Sequence, residues 1–292
     1  MTIGYYPGCS LEGTAREYDE SVRLTAGALD IELKEVDDWS CCGATSAHSV
    51  NHLLSLALPA RNLALAESAG HDAVLAPCAA CYNRLARASH EVATDSELAA
   101  KMPKIIGRPF ANSVKVRTVV DVLREAIPSI KAKATKPLDG MKVACYYGCL
   151  LMRPPEVSGS DDPENPTCME DVAKAAGAQP VSWNLRLECC GGSMSVPRTG
   201  SVVRLGRAIL ADARAAGAEA LVVACPMCHS NLDFRQSAMA NRGEAPMPVF
   251  YISQLVGLAL GLPAKELGLD RHFVSVRSLL DNRPAAAAKE VA

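Results

Sequence analysis

The sequence predicts an α/β protein made of two tandem, duplicated units, each a parallel sheet with helices on its faces. Two observations carry that prediction. Five cysteines recur in the same order in both halves of the 292-residue chain, and so do the stretches around them. Short apolar runs of strand length alternate with segments of helical period, the pattern of parallel α/β units.

The first cysteine set is Cys9, Cys41, Cys42, Cys78 and Cys81; the second is Cys149, Cys189, Cys190, Cys225 and Cys228. The offsets between partners are 140, then 148 twice, then 147 twice, so ten of twelve cysteines follow from one duplication. Tyr5-Tyr6-Pro7-Gly8-Cys9 answers to Tyr146-Tyr147-Gly148-Cys149 with one residue missing, and 69–78 answers to 216–225 at a constant offset. The eight extra residues of the second half are expected in 153–166, whose prolines, Gly159 and acids read as a surface loop.

In chain order, 3–6, 73–76, 142–146, 220–224 and 249–252 read as strands buried on both faces. Helices are expected over 14–29, over 50–68 with a kink or break at Pro59, and over 118–127 and 169–176. In 202–213, Val202, Val203, Gly206, Ile209, Leu210 and Ala213 form a helical stripe that Gly217 stops. The segment 128–140, rich in Lys, Pro and Thr, reads as the connector, and 281–292 as a frayed tail. The expected domains are therefore 1–135 and 136–280, Rossmann-like in layout, with the cysteines at the carboxyl edge of each sheet, the usual ligand edge of such folds. The glycine after each vicinal pair, Gly43 or Gly191, would let the backbone turn sharply and approach a metal.

Composition narrows the function. A net charge of −2 gives no electrostatic case for nucleic acid or an anionic membrane. No apolar run approaches the roughly 18–20 residues that span a bilayer, and the first residues lack a signal-peptide pattern, so a cytoplasmic chain is expected. A disulfide framework would need an oxidising compartment, and adjacent cysteines strain disulfide geometry. A soft metal centre is the better reading. Zinc takes four ligands, one fewer than each set offers, whereas a polynuclear iron–sulfur cluster can use a vicinal pair; zinc in one half remains the alternative. Cys225-Pro226-Met227-Cys228-His229 fits a c-type haem pattern, but Cys78-Ala79-Ala80-Cys81-Tyr82 lacks the histidine. A thioredoxin-like reading of the two Cys-x-x-Cys pairs leaves three cysteines per half unexplained. Cys145 and Cys168 fall outside the repeat and read as small, partly buried residues. His48, His71 and His229 lie near the motif and read as solvated or hydrogen-bonded loop residues. Arg153 and Arg198 are candidates for binding an anionic substrate, or else plain surface arginines.

Two motifs of the form Cys-x(31–39)-Cys-Cys-Gly-x(33–34)-Cys-x-x-Cys are the signature of the cysteine-rich CCG domain. With the segment from Cys145 to Pro154, they make the chain resemble the B subunit of heterodisulfide reductase. That resemblance implies two noncubane [4Fe–4S] clusters, one on each five-cysteine set, and cleavage of a disulfide between them in one-electron steps. It implies an oxidoreductase acting on a sulfur group, within a complex. The implied partners are a ferredoxin-like iron–sulfur C subunit, a flavin-bearing A subunit, and a small sulfur substrate or a sulfur-carrier protein. Bacterial members of the type are associated with sulfur metabolism, running thiol or persulfide oxidation. Other CCG proteins are electron-transfer subunits of lactate, glycolate or succinate dehydrogenase complexes, which is the alternative function. The chain has neither a ferredoxin cysteine run nor a Gly-x-Gly-x-x-Gly fingerprint of its own.

Overall fold

The computed structural model describes residues 1–44, 46–136, 138–159, 162–240 and 243–281. Two four-stranded sheets, every strand pairing parallel, divide the chain. The first has the order β2-β1-β3-β4, from β1 (Thr2–Tyr5), β2 (Glu32–Glu35), β3 (Ala73–Leu75) and β4 (Lys115–Arg117). The second repeats it as β6-β5-β7-β8, from β5 (Lys142–Tyr146), β6 (Gln179–Pro180), β7 (Ala220–Val223) and β8 (Val249–Tyr251). Each sheet pairs its first strand with its third, Gly4 opposite Val74 and Ala144 opposite Leu221. The first strand of each half thus lies between the second and the third, and the chain leaves all three at one edge.

The principal helices are α1 (Gly8–Glu12), α2 (Arg16–Ala28), α3 (His52–Ser68), α4 (Ala79–Thr94), α5 (Ser96–Ile106), α6 (Val119–Glu125) and α7 (Ile127–Lys133) in the first half. The second half has α8 (Cys168–Ala175), α9 (Thr199–Ala215), α10 (Pro226–Asp233) and α11 (Ile252–Ala259). Central strands are buried almost throughout, as continuous apolar runs require: Ala220, Leu221, Val222 and Val223 have no exposed surface. α6 starts at a capping box, Thr118 accepting from Asp121 N at 3.0 Å and Asp121 from Thr118 N at 2.8 Å.

Three expectations change. α3 runs unbroken through Pro59. The connector is helical over its first residues, because Pro128 stands in the opening positions of α7, where a missing N–H costs nothing. The expected loop at 153–166 includes a short helix, Pro155–Ser158. The expected tail lies outside the described residues apart from Asp281.

One core spans both halves, since α2 packs against α11. Ser21 and Ser253 hydroxyls meet at 2.7 Å, and Thr25 donates to Ser253 O at 2.9 Å. The rings of Tyr18 and Tyr251 stack at 4.0 Å and 6°. The segment after α11 folds back so that Asp233 accepts from Phe273 N at 2.7 Å and Val274 N at 3.1 Å. Burial raises the Asp233 pKa from 3.8 to about 6, against the pull of those two amides. Burial lowers the His272 pKa from 6.5 to about 4.

These two shifts act oppositely as pH falls. The native state cannot take the proton that unfolded His272 takes near pH 6.5, so acidification from there towards pH 4 removes stability. Asp233 binds its proton more tightly folded than unfolded, so its contribution grows as pH falls through about 6. Asp233→Asn removes the compensating half. Thermal unfolding at about pH 7 and about pH 5.5 is expected to show a steeper acid loss in the variant than in the parent chain; equal slopes would contradict the assignment.

Candidate metal centre

Each cysteine reaches the carboxyl edge by its own element. β1 leads through Tyr6 and Pro7 to Cys9 in α1, and β3 leads to Cys78, which caps α4, with Cys81 in its first turn. Cys41 and Cys42 follow β2 on the loop before α3. In the second half Cys149 follows β5, Cys189 and Cys190 follow a 3-10 turn at Leu185–Leu187, Cys225 caps α10, and Cys228 lies in its first turn.

The sulfurs come together in linked pairs. Cys42 Sγ lies 3.4 Å from Cys81 Sγ, and Cys190 Sγ lies 3.6 Å from Cys228 Sγ. Cys9 interacts with Cys41, Cys149 with Cys189, Cys78 with Cys81, and Cys225 with Cys228. Cys78 and Cys225, 2% and 5% exposed, act on each other across the two halves. Cys42, Cys81, Cys190 and Cys228 are also buried, whereas Cys9, Cys41 and Cys189 are exposed and Cys149 is half-buried. In the contacts of Cys42 with Cys81 and of Cys149 with Cys189 the two thiols shift in opposite directions. The contact with Cys81 pulls Cys42 down to about 7 against the cost of burial, while Cys81 is pushed up. The bond from Cys149 pulls Cys189 down to about 6, and Cys149 is pushed up.

Main-chain groups complete the cradle. Gly43 N and Gly191 N donate to Cys41 Sγ at 3.4 Å and Cys189 Sγ at 3.3 Å. Both glycines have positive φ, +75° and +98°, which supplies the expected turn. Their bare faces meet a helical segment rather than the thiols: a Cβ would fall 2.7 Å from Ala47 Cβ or 2.6 Å from Val202 Cγ2. The glycines that do face sulfur are Gly8 and Gly148, where a Cβ would fall 3.0 Å from Cys81 Sγ and 3.2 Å from Cys228 Sγ. Tyr6 and Tyr146 stand beside them in matching roles, donating to Ser40 O at 2.8 Å and Glu188 O at 2.5 Å, the carbonyls just before each vicinal pair. The sequence signal was there, a tyrosine close before Gly-Cys in both halves. Tyr147, by contrast, turns away to Glu170 and Met169 N.

Among the described residues no three histidine, cysteine or carboxylate side chains converge as a ligand set for one metal ion. The arrangement is instead five thiols per half in adjoining pairs with amides aimed at two of them. That donor set fits a polynuclear iron–sulfur cluster, whose potential depends on thiolate ligation and hydrogen bonds to sulfur.

The remaining candidates are placed elsewhere. Cys145 is fully buried in β5, its thiol pushed up by burial and by Glu170, and Cys168 opens α8 at 3.9 Å from Tyr147 Oη. Arg153 is ion-paired with Glu164 at 3.0 Å, and Arg198 is exposed at the start of α9. His48 is exposed, and the His71 ring lies over Gly4. His229 is not a loop residue: it is buried in α10, bonded to Val249 O at 3.1 Å and stacked on Tyr251 at 4.2 Å. An open cavity of ≈230 Å³ lies where the halves meet, lined by Ser10, Thr14, Ser193, Met227, Ser230 and Asn231 among others; neither arginine reaches it.

Fold and site together define a tandem cysteine-rich α/β protein. The cysteine-rich domain family, CCG, matches residues 3–86 and 143–233. The chain is 36% identical over 282 residues, 95% of its length and 98% of the relative's, to the 8-methylmenaquinol:fumarate reductase membrane anchor subunit of Wolinella succinogenes. It is 31% identical over 284 residues, 93% of each chain, to the B subunit of the ferredoxin:CoB-CoM heterodisulfide reductase of Methanosarcina mazei. A hypothetical protein from Helicobacter pylori shares the fold, with a TM-score of 0.75 at 14% identity over 94% of this chain and about half, 52%, of its own. The chain belongs to the family of heterodisulfide reductase B subunits. No helix among its described residues is long and apolar enough to cross a membrane.

Gly148→Ala combines two costs, a left-handed φ of +64° and the contact with Cys228, whereas Gly217→Ala has only the first, a φ of +81° with open space around it. The second variant is expected to lose about 1–2 kcal/mol of stability. The first is expected to lose more and to bind less iron. Thermal unfolding with iron analysis checks this; equal losses would mean that Cys228 has room to yield.

Proposed function

We propose that the chain is the redox subunit of a heterodisulfide-reductase-like complex in which each five-cysteine set holds one noncubane [4Fe–4S] cluster. The carrying observation is that the buried Cys78 and Cys225 act on each other across the halves, so that the two duplicated thiol sets adjoin through their inner members. Bound clusters would supply one-electron chemistry. Cleaving a disulfide, or joining two thiols in reverse, exchanges two electrons and two protons, a count that two adjoining one-electron centres match. Cys9, Cys41, Cys42, Cys78 and Cys81 hold one centre; Cys149, Cys189, Cys190, Cys225 and Cys228 hold the other. Gly43 N and Gly191 N stabilise charge on the outer thiolates, and the burial of the inner six keeps water from them. The open cavity at Ser10 and Asn231 gives a small sulfur compound its approach. In this reading electrons are exchanged in the cytoplasm with an iron–sulfur partner and a flavin-bearing partner of the same complex.

A second reading has one observation in its favour, the 36% identity to a protein of a fumarate reductase complex. In it the same two centres relay electrons between a partner and a quinone-linked reductase without acting on sulfur. Both readings require iron. Anaerobic purification followed by metal and sulfide analysis is expected to give about eight irons per chain with matching sulfide; one or two zincs without sulfide would overturn both. Reduced protein mixed with a small disulfide should be reoxidised with release of two thiols under the first reading. Reoxidation by a quinone alone would select the second.

Cys42→Ser and Cys190→Ser test the ligand sets. Each is expected to change or abolish the paramagnetic signal of its own half and leave the other loaded. Unchanged signals with full iron in both variants would remove the vicinal pairs from the ligand list.

A further inference from the structure

The duplication is faithful in its thiols but not in the charges around them. Arg84 follows Cys81 by three residues on α4, and Asn231 follows Cys228 by the same three on α10, so the two occupy matching places one helical turn on. Arg84 is half-buried and acts electrostatically on Cys42. The nearby acid, Glu91, is already taken by Arg87 at 2.7 Å and His52 at 3.1 Å. A guanidinium keeps its charge even where burial works against it. Asn231 offers only a neutral amide, donating to Gly192 O at 3.0 Å and reaching Cys190 Sγ at 3.5 Å. A second difference has the same sign. The residue before the first vicinal pair is Ser40, while before the second it is Glu188, whose carboxylate acts electrostatically on Cys189.

We propose that Arg84 and Glu188 make the two redox centres unequal, so that the one held by Cys9, Cys41, Cys42, Cys78 and Cys81 accepts an electron at the higher potential. The inference rests on the proposed cluster at each set. A fixed positive charge stabilises the extra negative charge of a reduced centre, and a fixed negative charge opposes it. Exposure at Glu188 screens its share, so the half-buried Arg84 carries the larger part. At equilibrium a single electron on the chain therefore resides on the first centre, and the second is the side from which it leaves or arrives more readily.

The test is an anaerobic potentiometric titration of the loaded protein followed by electron paramagnetic resonance, with signals assigned through Cys42→Ser and Cys190→Ser. The first centre is expected to have the higher midpoint. Arg84→Gln should lower it enough to shift one-electron exchange between the centres at least tenfold, ~59 mV for a one-electron couple. Asn231→Arg should raise the second centre and leave the first in place, and Glu188→Gln should raise the second by less. Should Arg84→Gln fail to load iron, Asn231→Arg and Glu188→Gln decide the matter from the other side. Equal midpoints in the parent protein, or an exchange ratio unmoved by all loaded variants, would overturn the inference while leaving both clusters in place. Absence of iron and signal from the parent chain would instead overturn the functional reading beneath it.

Discussion

Burying ionisable thiols is the constraint to which the rest of this structure answers. Six of the ten repeated cysteines lie in the interior where the two carboxyl edges face each other. An isolated thiolate there would be costly, and several together more so, because like charges repel strongly at low dielectric. The free thiols ease this by sharing protons, as in the opposite shifts of Cys42 and Cys81 and of Cys190 and Cys228. Such sharing keeps the raised partner protonated, and a protonated thiol is not a metal ligand. Cationic iron bound among them would satisfy all five per half, which is why the donor set reads as a cluster site rather than as packing.

Holding the sets at a fixed separation falls to the seam between the halves. Tyr18 from α2 stacks on Tyr251 at the end of β8, and Tyr18 Oη donates to Pro77 O, the carbonyl before Cys78, at 3.3 Å. His229, next to Cys228, stacks in turn on Tyr251. A ring pair of this kind contributes ~0.5–1.5 kcal/mol beyond its buried area. Its value here is geometric, because the same rings that join the halves touch the main chain next to the cysteines. Burial pushes the His229 pKa far down, so it enters this stack as a neutral ring.

How much of this was legible in the sequence depended on burial. Strands β1, β3, β5, β7 and β8 were readable because residues such as Val74, Val143 and Val222 are apolar on both faces. Strand β2, Glu-Leu-Lys-Glu, is an exposed edge; its residues are chosen for water, and only pairing with β1 makes it a strand. Edges β4, Lys-Val-Arg, and β6, Gln-Pro, likewise offer no apolar run to read. The cysteine sets were legible because duplication printed them twice. Tyr6 and Tyr146 were visible as letters but not as roles, since the one-residue gap pairs Tyr6 with Tyr147 on paper and with Tyr146 in space. Arg84 and Asn231 could not be singled out, because a match between halves draws the eye to identities and these two differ.

The unequal loops decide which side of the junction stays open. The eight extra residues of the second half lie between Cys149 and Cys189. Part of that span, from Leu150 to Ser158, packs onto α4. There Asn83 donates to Leu150 O at 3.2 Å and Arg153 O at 2.8 Å, and Tyr82 donates to Ser158 O at 3.0 Å. At the repeat's offset of 147, the counterpart of Asn83 is Ser230, and Ser230 lines the open cavity. The same position is therefore plugged in one half and exposed to a ligand in the other. A strictly symmetric pair of units would present two equivalent openings, and two electrons could enter or leave by either. The longer loop fills that place in one half, and in the other the cavity is lined by Ser10, beside Cys9, and by Met227, between Cys225 and Cys228. The duplicated scaffold is thus asymmetric at its junction through a loop and a few side chains, while the order of the ten repeated cysteines is the same in both halves.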